Sequence, residues 1–371
     1  RRLAYAECLD MLARVLELWD RVPDAAERIG APRIEVFEQA VLAAESAGEL
    51  DRGVKYATGA LRELPDVPEN APRRAALLEL RGRMLFDQTL PGAVDDLREA
   101  VRLLPADRPT LERARVLNTL ATVGRLLPRS DEPRSAAHAA LEIGRSLHDR
   151  QAEVEALLTL SCVDFDYGAG YGQDGPTEKM LDRMRELADL EGDDRLRLRV
   201  AINRSHFLEG SGRHAEAVEV AREGVQKAQL NGVARTQGAF LAINQAEPLV
   251  SLGRWDEADV LLRRTIDQRP PRKIRTSLFA LAGEIATARG DLDRATRMLG
   301  YAREVTWPKA QDLFATRRLE AAIRLAQGRP DAALVAAEPV LGVAKVAVVT
   351  AVMLATGAVV ALSTFTVSQT I

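Results

Sequence analysis

The chain predicts an all-α superhelical solenoid of about eight stacked helical hairpins, and three observations predict it. A helix-like apolar stretch breaks at a small or polar residue at Gly48, Gln88, Asp131, near Gly172, and at Gly212, Gly253, Gly290 and Gly328, with gaps of 37 to 43 residues. Five residues after most breaks stands a small side chain: Gly53, Ala93, Ala136, Ala217, Ala258, Ala295 and Ala333. Alanine, leucine, arginine and glutamate dominate, aromatics make up only 4%, and before the C-terminus no stretch alternates apolar and polar residues with β-branched enrichment.

Each element of the repeat has a physical reason. The clearest copy is Leu252-Gly253-Arg254-Trp255-Asp256-Glu257-Ala258, continued by Leu262, Thr265, Ile266 and Pro270. A glycine past the last apolar position can take the left-handed conformation that ends a first helix, A, because it has no Cβ to clash. Carboxylates such as Asp256 and Glu257, or Asp291 and Asp293, then meet the positive end of a restarting helix, B. The small residue lets A and B cross closely. Leu97 and Ala100, Leu262 and Thr265, and Leu299 and Ala302 continue a same-face stripe along B. Pro65, Pro105 and Pro270, each seventeen residues after its break, end three copies, since proline cannot continue a helix. The period is slightly longer than the ~34 residues of a standard tetratricopeptide repeat (TPR), so the hairpins are TPR-like.

Stacked repeats share one core, so 371 residues do not count domains here. Residues 1–340 read as one repeat region and 341–371 as a separate apolar segment. With 51 basic and 54 acidic residues interspersed and a net charge of −3, nothing favours nucleic acid or an anionic membrane surface as a direct partner. Cys8 and Cys162 lie far apart without metal-ligand spacing, which fits a reducing cytoplasm and two small buried side chains. His138, His148, His206 and His214 sit in different repeats and form no metal-binding pair. Neither a phosphate loop nor a nucleophile elbow occurs. The expectation is a chain without catalytic residues, metal or cofactor. Trp255 and Trp19 read as junction packing, as does Trp307, and His214 follows its break much as Trp255 does.

The repeat degrades between Cys162 and Met180, where the glycine-rich run 163–176 predicts a loop. Its Gly170, Gly172 and Gly175 match a dinucleotide-binding glycine pattern, but no strand precedes them. Asp164, Asp166 and Asp174 have the chemistry to hold a hard cation, yet their spacing fits no calcium loop.

A stack of hairpins offers a face lined by its A helices, the usual place for a peptide or small ligand. In standard repeats the exposed A-helix positions lie about thirteen, ten and six residues before the break. Here they select Arg199, His206, Glu247, Glu284 and Arg318, a mixed row suited to a zwitterionic or peptidic ligand, though a solvated helix face has the same look. Phe240, Ser277, Ala315 and Ala322 fall at the remaining positions.

Several segments occur in a telling order: Leu16-Glu17-Leu18-Trp19-Asp20-Arg21-Val22-Pro23, Arg98-Glu99-Ala100-Val101-Arg102-Leu103-Leu104-Pro105, Ala221-Arg222-Glu223-Gly224-Val225, Asn244-Gln245-Ala246-Glu247-Pro248-Leu249, the Leu252–Ala258 motif and Arg289-Gly290-Asp291-Leu292-Asp293. The succession resembles the helical-repeat region of large ATP-binding LuxR-type transcriptional regulators of actinobacteria, which share a MalT-like layout. The resemblance covers residues 1–340. It implies a region that senses an inducer or protein partner and gates self-association, with an ATPase domain before it and a helix-turn-helix domain after it. ATP and DNA would then bind outside this chain, and the location would be cytoplasmic.

The end of the chain departs from that family. From Val346 to Ile371 run 26 residues without a charge, directly after Lys345. Three readings stand side by side: a C-terminal membrane anchor with its basic flank on the cytoplasmic side, a shifted reading frame replacing the DNA-binding domain, and a buried helix capping the repeats. The anchor reading makes the chain a membrane-bound TPR-like scaffold that docks partner proteins.

Overall fold

The computed structural model describes residues 2–88, 90–125, 130–166, 176–305 and 310–341, and their regular structure is helical throughout. The tail 346–371 lies outside the described residues, as do Trp307 and the glycine run 167–175. The chain divides into two compact units, residues 1–163 and 164–371.

The first unit opens with α1 (Arg2–Leu18), a 3-10 turn at Trp19–Arg21 and the short α2 (Ala25–Ile29). Three hairpins follow: α3 (Arg33–Ala47) with α4 (Leu50–Glu63), α5 (Ala71–Asp87) with α6 (Ala93–Leu103), and α7 (Leu111–Gly124) with α8 (Glu132–Ser146); α9 (Arg150–Asp166) comes next. In the second unit α10 (Pro176–Glu191) packs on α11 (Asp194–Gly210), whose hairpin partner is α12 (His214–Leu230). The remaining pairs are α13 (Gln237–Ser251) with α14 (Trp255–Asp267), α15 (Arg272–Ala288) with α16 (Leu292–Val305), and α17 (Ala310–Ala326) with α18 (Pro330–Leu341). Both units use one packing rule. Each A helix packs on its own B helix and on the next A helix, and each B helix packs on the A helix that follows it.

The breaks behave as the spacing predicts, with two variations. Gly48, Gly212, Gly253, Gly290 and Gly328 all have positive φ. At Gly253, φ is 74° and the next amide, of Arg254, donates back to Leu249 O at 2.8 Å, closing the last turn of α13. Gln88 has φ −96°, and the left-handed residue in that hairpin is Gly92, the N-cap of α6. Asp131 ends no helix: it is the N-cap of α8.

Every small residue at the fifth position is buried. Gly53 is the one glycine among them, because a methyl there would overlap the sulfur of Met84 on α5. The crossing therefore serves three helices, not two. Pro65 and Pro105 follow the ends of α4 and α6 by two residues. There Arg74 donates to Leu61 O and Leu64 O, and Arg113 repeats the arrangement on Val101 O and Leu104 O. An arginine from the next A helix thus satisfies carbonyls that the end of a B helix leaves open.

Two expectations need correction. Residues 163–166 are helical, since α9 continues to Asp166 and α10 starts at Pro176; the apolar run 154–163 carries the helix into the stretch read as loop. Cys8 is exposed rather than buried. Leu9 and Leu16 form the buried stripe of α1, with Leu12 and Ala13 packed beside them, and Cys8 lies off that stripe.

The interspersed charges also acquire a role. Arg73 pairs with Glu38, Arg98 with Glu132, Arg213 with Glu178 and Arg289 with Asp256, each 33 to 35 residues apart. The exposed pairs among these are worth about 0–1 kcal/mol each, so they set register more than stability; Arg213–Glu178 is part-buried. Asp259 differs, being 1% exposed and held by Arg263 and Arg294. Burial alone would raise its pKa, but the hydrogen bonds from Arg294 and Arg263 outweigh burial and bring the carboxyl down to about 2.

Candidate functional site

In the second unit the A helices α11, α13, α15 and α17 each touch the next, so residues at equivalent repeat positions form rows across them. Six residues before the break stand His206, Glu247, Glu284 and Ala322; thirteen before stand Arg199, Phe240, Ser277 and Ala315. His206, Arg199 and Phe240 are exposed, and the others are partly exposed. This is the residue pattern of a surface face, produced by a 3.6-residue helical period laid over a repeat near forty.

The structure brings three of the five candidate residues together. Arg318 on α17 makes a two-pronged ion pair with Glu284 on α15, Nε to Oε1 at 2.6 Å and Nη2 to Oε2 at 2.9 Å. A planar guanidinium matched to a carboxylate in this way is fixed in orientation as well as charge. The Glu284 charge, the largest cause, raises the Arg318 pKa above its ordinary value. Arg318 also lies 6.0 Å from the centre of the Phe314 ring.

Glu247 on α13 completes the group. Burial pushes its carboxyl up to about 7; Arg318 opposes that shift, while Glu209 and Glu284 add to it. The residue as a whole keeps a little accessible surface, but burial of the carboxyl still dominates its titration. The charges acting on Glu247 are Arg318, Glu209 and Glu284, whereas Arg199 and His206 sit earlier on α11 than Glu209. The five-residue row therefore separates into a coupled group, Glu247, Glu284 and Arg318, and an exposed pair, Arg199 and His206.

Glu209 belongs to the group and escaped the spacing rule because it stands three residues before its break. Its Oε1 accepts a hydrogen bond from Ser251 Oγ at 2.7 Å, and its Oε2 lies 2.7 Å from His214 Nδ1. Ser251 is 42 residues further on, so a polar pair at one repeat length was the available signal. Below this row, Asn244 Nδ2 donates to Ile202 O at 2.8 Å and to Ser205 Oγ at 3.0 Å, both across from α13 to α11. That bond locks the two helices together beneath Glu247.

His214 and Trp255 occupy matching places at the starts of α12 and α14. Trp255 Nε1 donates to Val250 O at 3.1 Å, five residues back, as His214 faces Glu209 five residues back. Both tie a B helix to its own A helix, which is the packing role expected of them. Among the described residues no group of three His, Cys, Asp or Glu side chains is placed to hold a metal ion, and no helix is long and apolar enough to cross a membrane.

No protein-family profile matches the sequence, and no curated protein is similar to it. Among solved structures, the chain resembles a Rap protein complexed with competence and sporulation factor, with a TM-score of 0.55 and 14% identity over 93% of this chain and 98% of that one. Yeast Tom70 aligns with 93% of this chain and 92% of its own at 13% identity, with a TM-score of 0.27 that carries no argument. The likeness to the Rap protein is one of fold: this chain is an all-α, TPR-like tandem array of helical hairpins.

Proposed function

We propose that the chain is a sensor and protein-interaction region without catalytic chemistry of its own, and that it takes a protein or peptide inducer on the A-helix face of residues 194–326. The observation that carries this reading is the coupled group Glu247, Glu284 and Arg318, presented side by side by three adjacent A helices. A ligand lying across them touches several repeats at once. Because each repeat packs only on its neighbours, such a ligand biases their mutual packing and passes that bias along the shared core. The Rap protein, similar in fold, is a structure of a repeat protein with a factor bound.

The motif succession from Trp19 to Asp293 supports placing this region in an ATP-binding LuxR-type transcriptional regulator. In that setting the repeats restrain a neighbouring ATPase domain until an inducer binds, and self-association follows. ATP and DNA are held by domains outside these residues, since the chain has no phosphate loop. Sequencing the DNA on both sides of the coding segment tests the assignment. A phosphate-loop domain upstream and a helix-turn-helix in any downstream frame support it, and a gene with neither refutes it.

The charge-free run 346–371 favours one second reading, a membrane-tethered scaffold. Under it the repeats only dock partner proteins.

A further inference from the structure

We infer that the cleft between the α4–α5 and α6–α7 connections seats an acidic side chain of an extended peptide segment, an aspartate or glutamate carried next to an aliphatic residue, on the guanidinium of Arg113. The cleft belongs to the first unit, whereas the A-helix face proposed above belongs to the second, so the two stand or fall separately.

The chain builds one arrangement twice, complete at the first connection and incomplete at the second. Arg74 donates through Nη1 to Leu61 O at 3.2 Å and Leu64 O at 2.6 Å, and its Nε lies 3.4 Å from Oδ1 of Asp66. One repeat later Arg113 donates through Nη1 to Val101 O at 2.8 Å and Leu104 O at 2.7 Å. The place of Asp66, directly after the proline that follows the helix, is taken there by Ala106. Asp107 is exposed and makes no ion pair with Arg113. A guanidinium presents five N–H donors, so Arg113 keeps donors for a carboxylate that this connection does not supply.

Ala106 and Arg113 both line a cleft of about 910 Å³, whose walls include Val67, Pro68, Pro72, Val101, Leu103 and Pro105. A second cleft of about 300 Å³, lined by Arg108 and Glu142, continues from Ala106 to the end of α8. Charge along the two is one-sided. Asp66 is held by Arg74 and Glu142 by Arg145, while Arg102 on the rim takes Glu99. Among the described residues that leaves two lining arginines, Arg113 and Arg108, without a carboxylate and no lining carboxylate without an arginine.

These features narrow the ligand class. An acidic side chain supplies at Arg113 what Asp66 supplies at Arg74, and the planar guanidinium fixes its direction. The wall prolines have no N–H to offer a peptide, so charge and apolar contact carry recognition and strand pairing does not. With no aromatic in the lining, the neighbour of the acid is aliphatic. Continuation past Ala106 gives room for chain on both sides of the acid, which favours a peptide segment over a small free acid.

The test uses the full chain and rhodamine-labelled, C-terminally amidated hexapeptide pools with neutral random flanks and a fixed centre of Glu-Leu, Gln-Leu or Glu-Ser, read by fluorescence anisotropy at neutral pH. The Glu-Leu pool is expected to bind about ten-fold tighter than the Gln-Leu pool, and the ratio is expected to shrink as salt screens the pair. The Glu-Ser pool is expected to bind more weakly than the Glu-Leu pool. Ala106→Asp places a carboxylate where Asp66 stands one repeat earlier and is expected to erase the preference for Glu over Gln. Ala106→Asn, equal in size but uncharged, is expected to keep it. Equal binding of the Glu-Leu and Gln-Leu pools, absence of binding by every pool, or a preference that survives Ala106→Asp overturns the inference, as does an equal loss in Ala106→Asn, which would make the effect one of bulk. Sodium hexanoate displacing the Glu-Leu pool at equal concentration overturns the peptide assignment. Ala106 is an exposed residue between helices, and a melting temperature no lower than the parent's shows that each variant is folded.

Discussion

Replacing Glu247 with glutamine should make the protein more stable, and only above a definite pH. The carboxyl is moved from its ordinary 4.5 up to about 7, so between those values the folded protein holds a proton that the unfolded chain has released. Stability from this group is fully present below about pH 4.5 and lost as pH rises through 7. At about 1.36 kcal/mol per pH unit, the shift corresponds to at most about 3 kcal/mol, and residual solvent contact brings the expectation to roughly 1–3 kcal/mol. Glutamine has no proton to lose. Parent and Glu247→Gln should therefore coincide in urea denaturation near pH 4.5 and separate progressively, with the variant ahead by that amount at pH 8. Amide exchange along α13 reads the same difference locally, which matters in a chain with two compact units. Parallel stability–pH curves for the two proteins would refute the claim that burial controls this carboxyl.

Three further predictions follow from the packing. Asp259→Ala leaves the part-buried Arg294 without its carboxylate between α14 and α16 and should cost about 1–3 kcal/mol, seen as a lower urea midpoint for the second unit; the parent loses the same contribution only as pH falls toward 2, because the folded carboxyl titrates that low. Gly144→Ala and Gly53→Ala should each cost about 1–3 kcal/mol in a melting experiment, since the added methyl would sit 2.9 Å from the Glu153 backbone N in the first and overlap the sulfur of the fully buried Met84 in the second. If the tail 346–371 anchors the chain, the protein stays with membranes after alkaline carbonate, and complete extraction excludes the tethered scaffold.

The hairpins were legible in the sequence because their determinants are local and repeated. A glycine that must take positive φ, a small residue at a crossing and a proline past a helix end each act through neighbours a few residues away, and eight breaks at one period reinforce one another. Gln88 and Asp131 kept the period while losing the glycine, and the structure places the turn's left-handed residue at Gly92 in the first of these. The candidate site was half legible. Repeat position located Glu247, Glu284 and Arg318 on one face, but it could not say that Arg318 would make its two-pronged ion pair with Glu284 rather than with Glu247. That outcome depends on side-chain reach between helices 34 residues apart. Glu209 was missed because it sits at the end of α11, where a rule built on exposed mid-helix positions does not look. Cys8 was misplaced for a related reason, since a helical stripe is buried only where another helix covers it.

Amide hydrogen exchange of the full chain, with and without a saturating random hexapeptide pool, tests the central claim most directly. Protection gained on α11, α13 and α15 around Phe240, Glu247 and Glu284, with α12, α14 and α16 unchanged on their outer turns, is the predicted result. Protection confined to the B helices or to the first unit would contradict an A-helix binding face in residues 194–326.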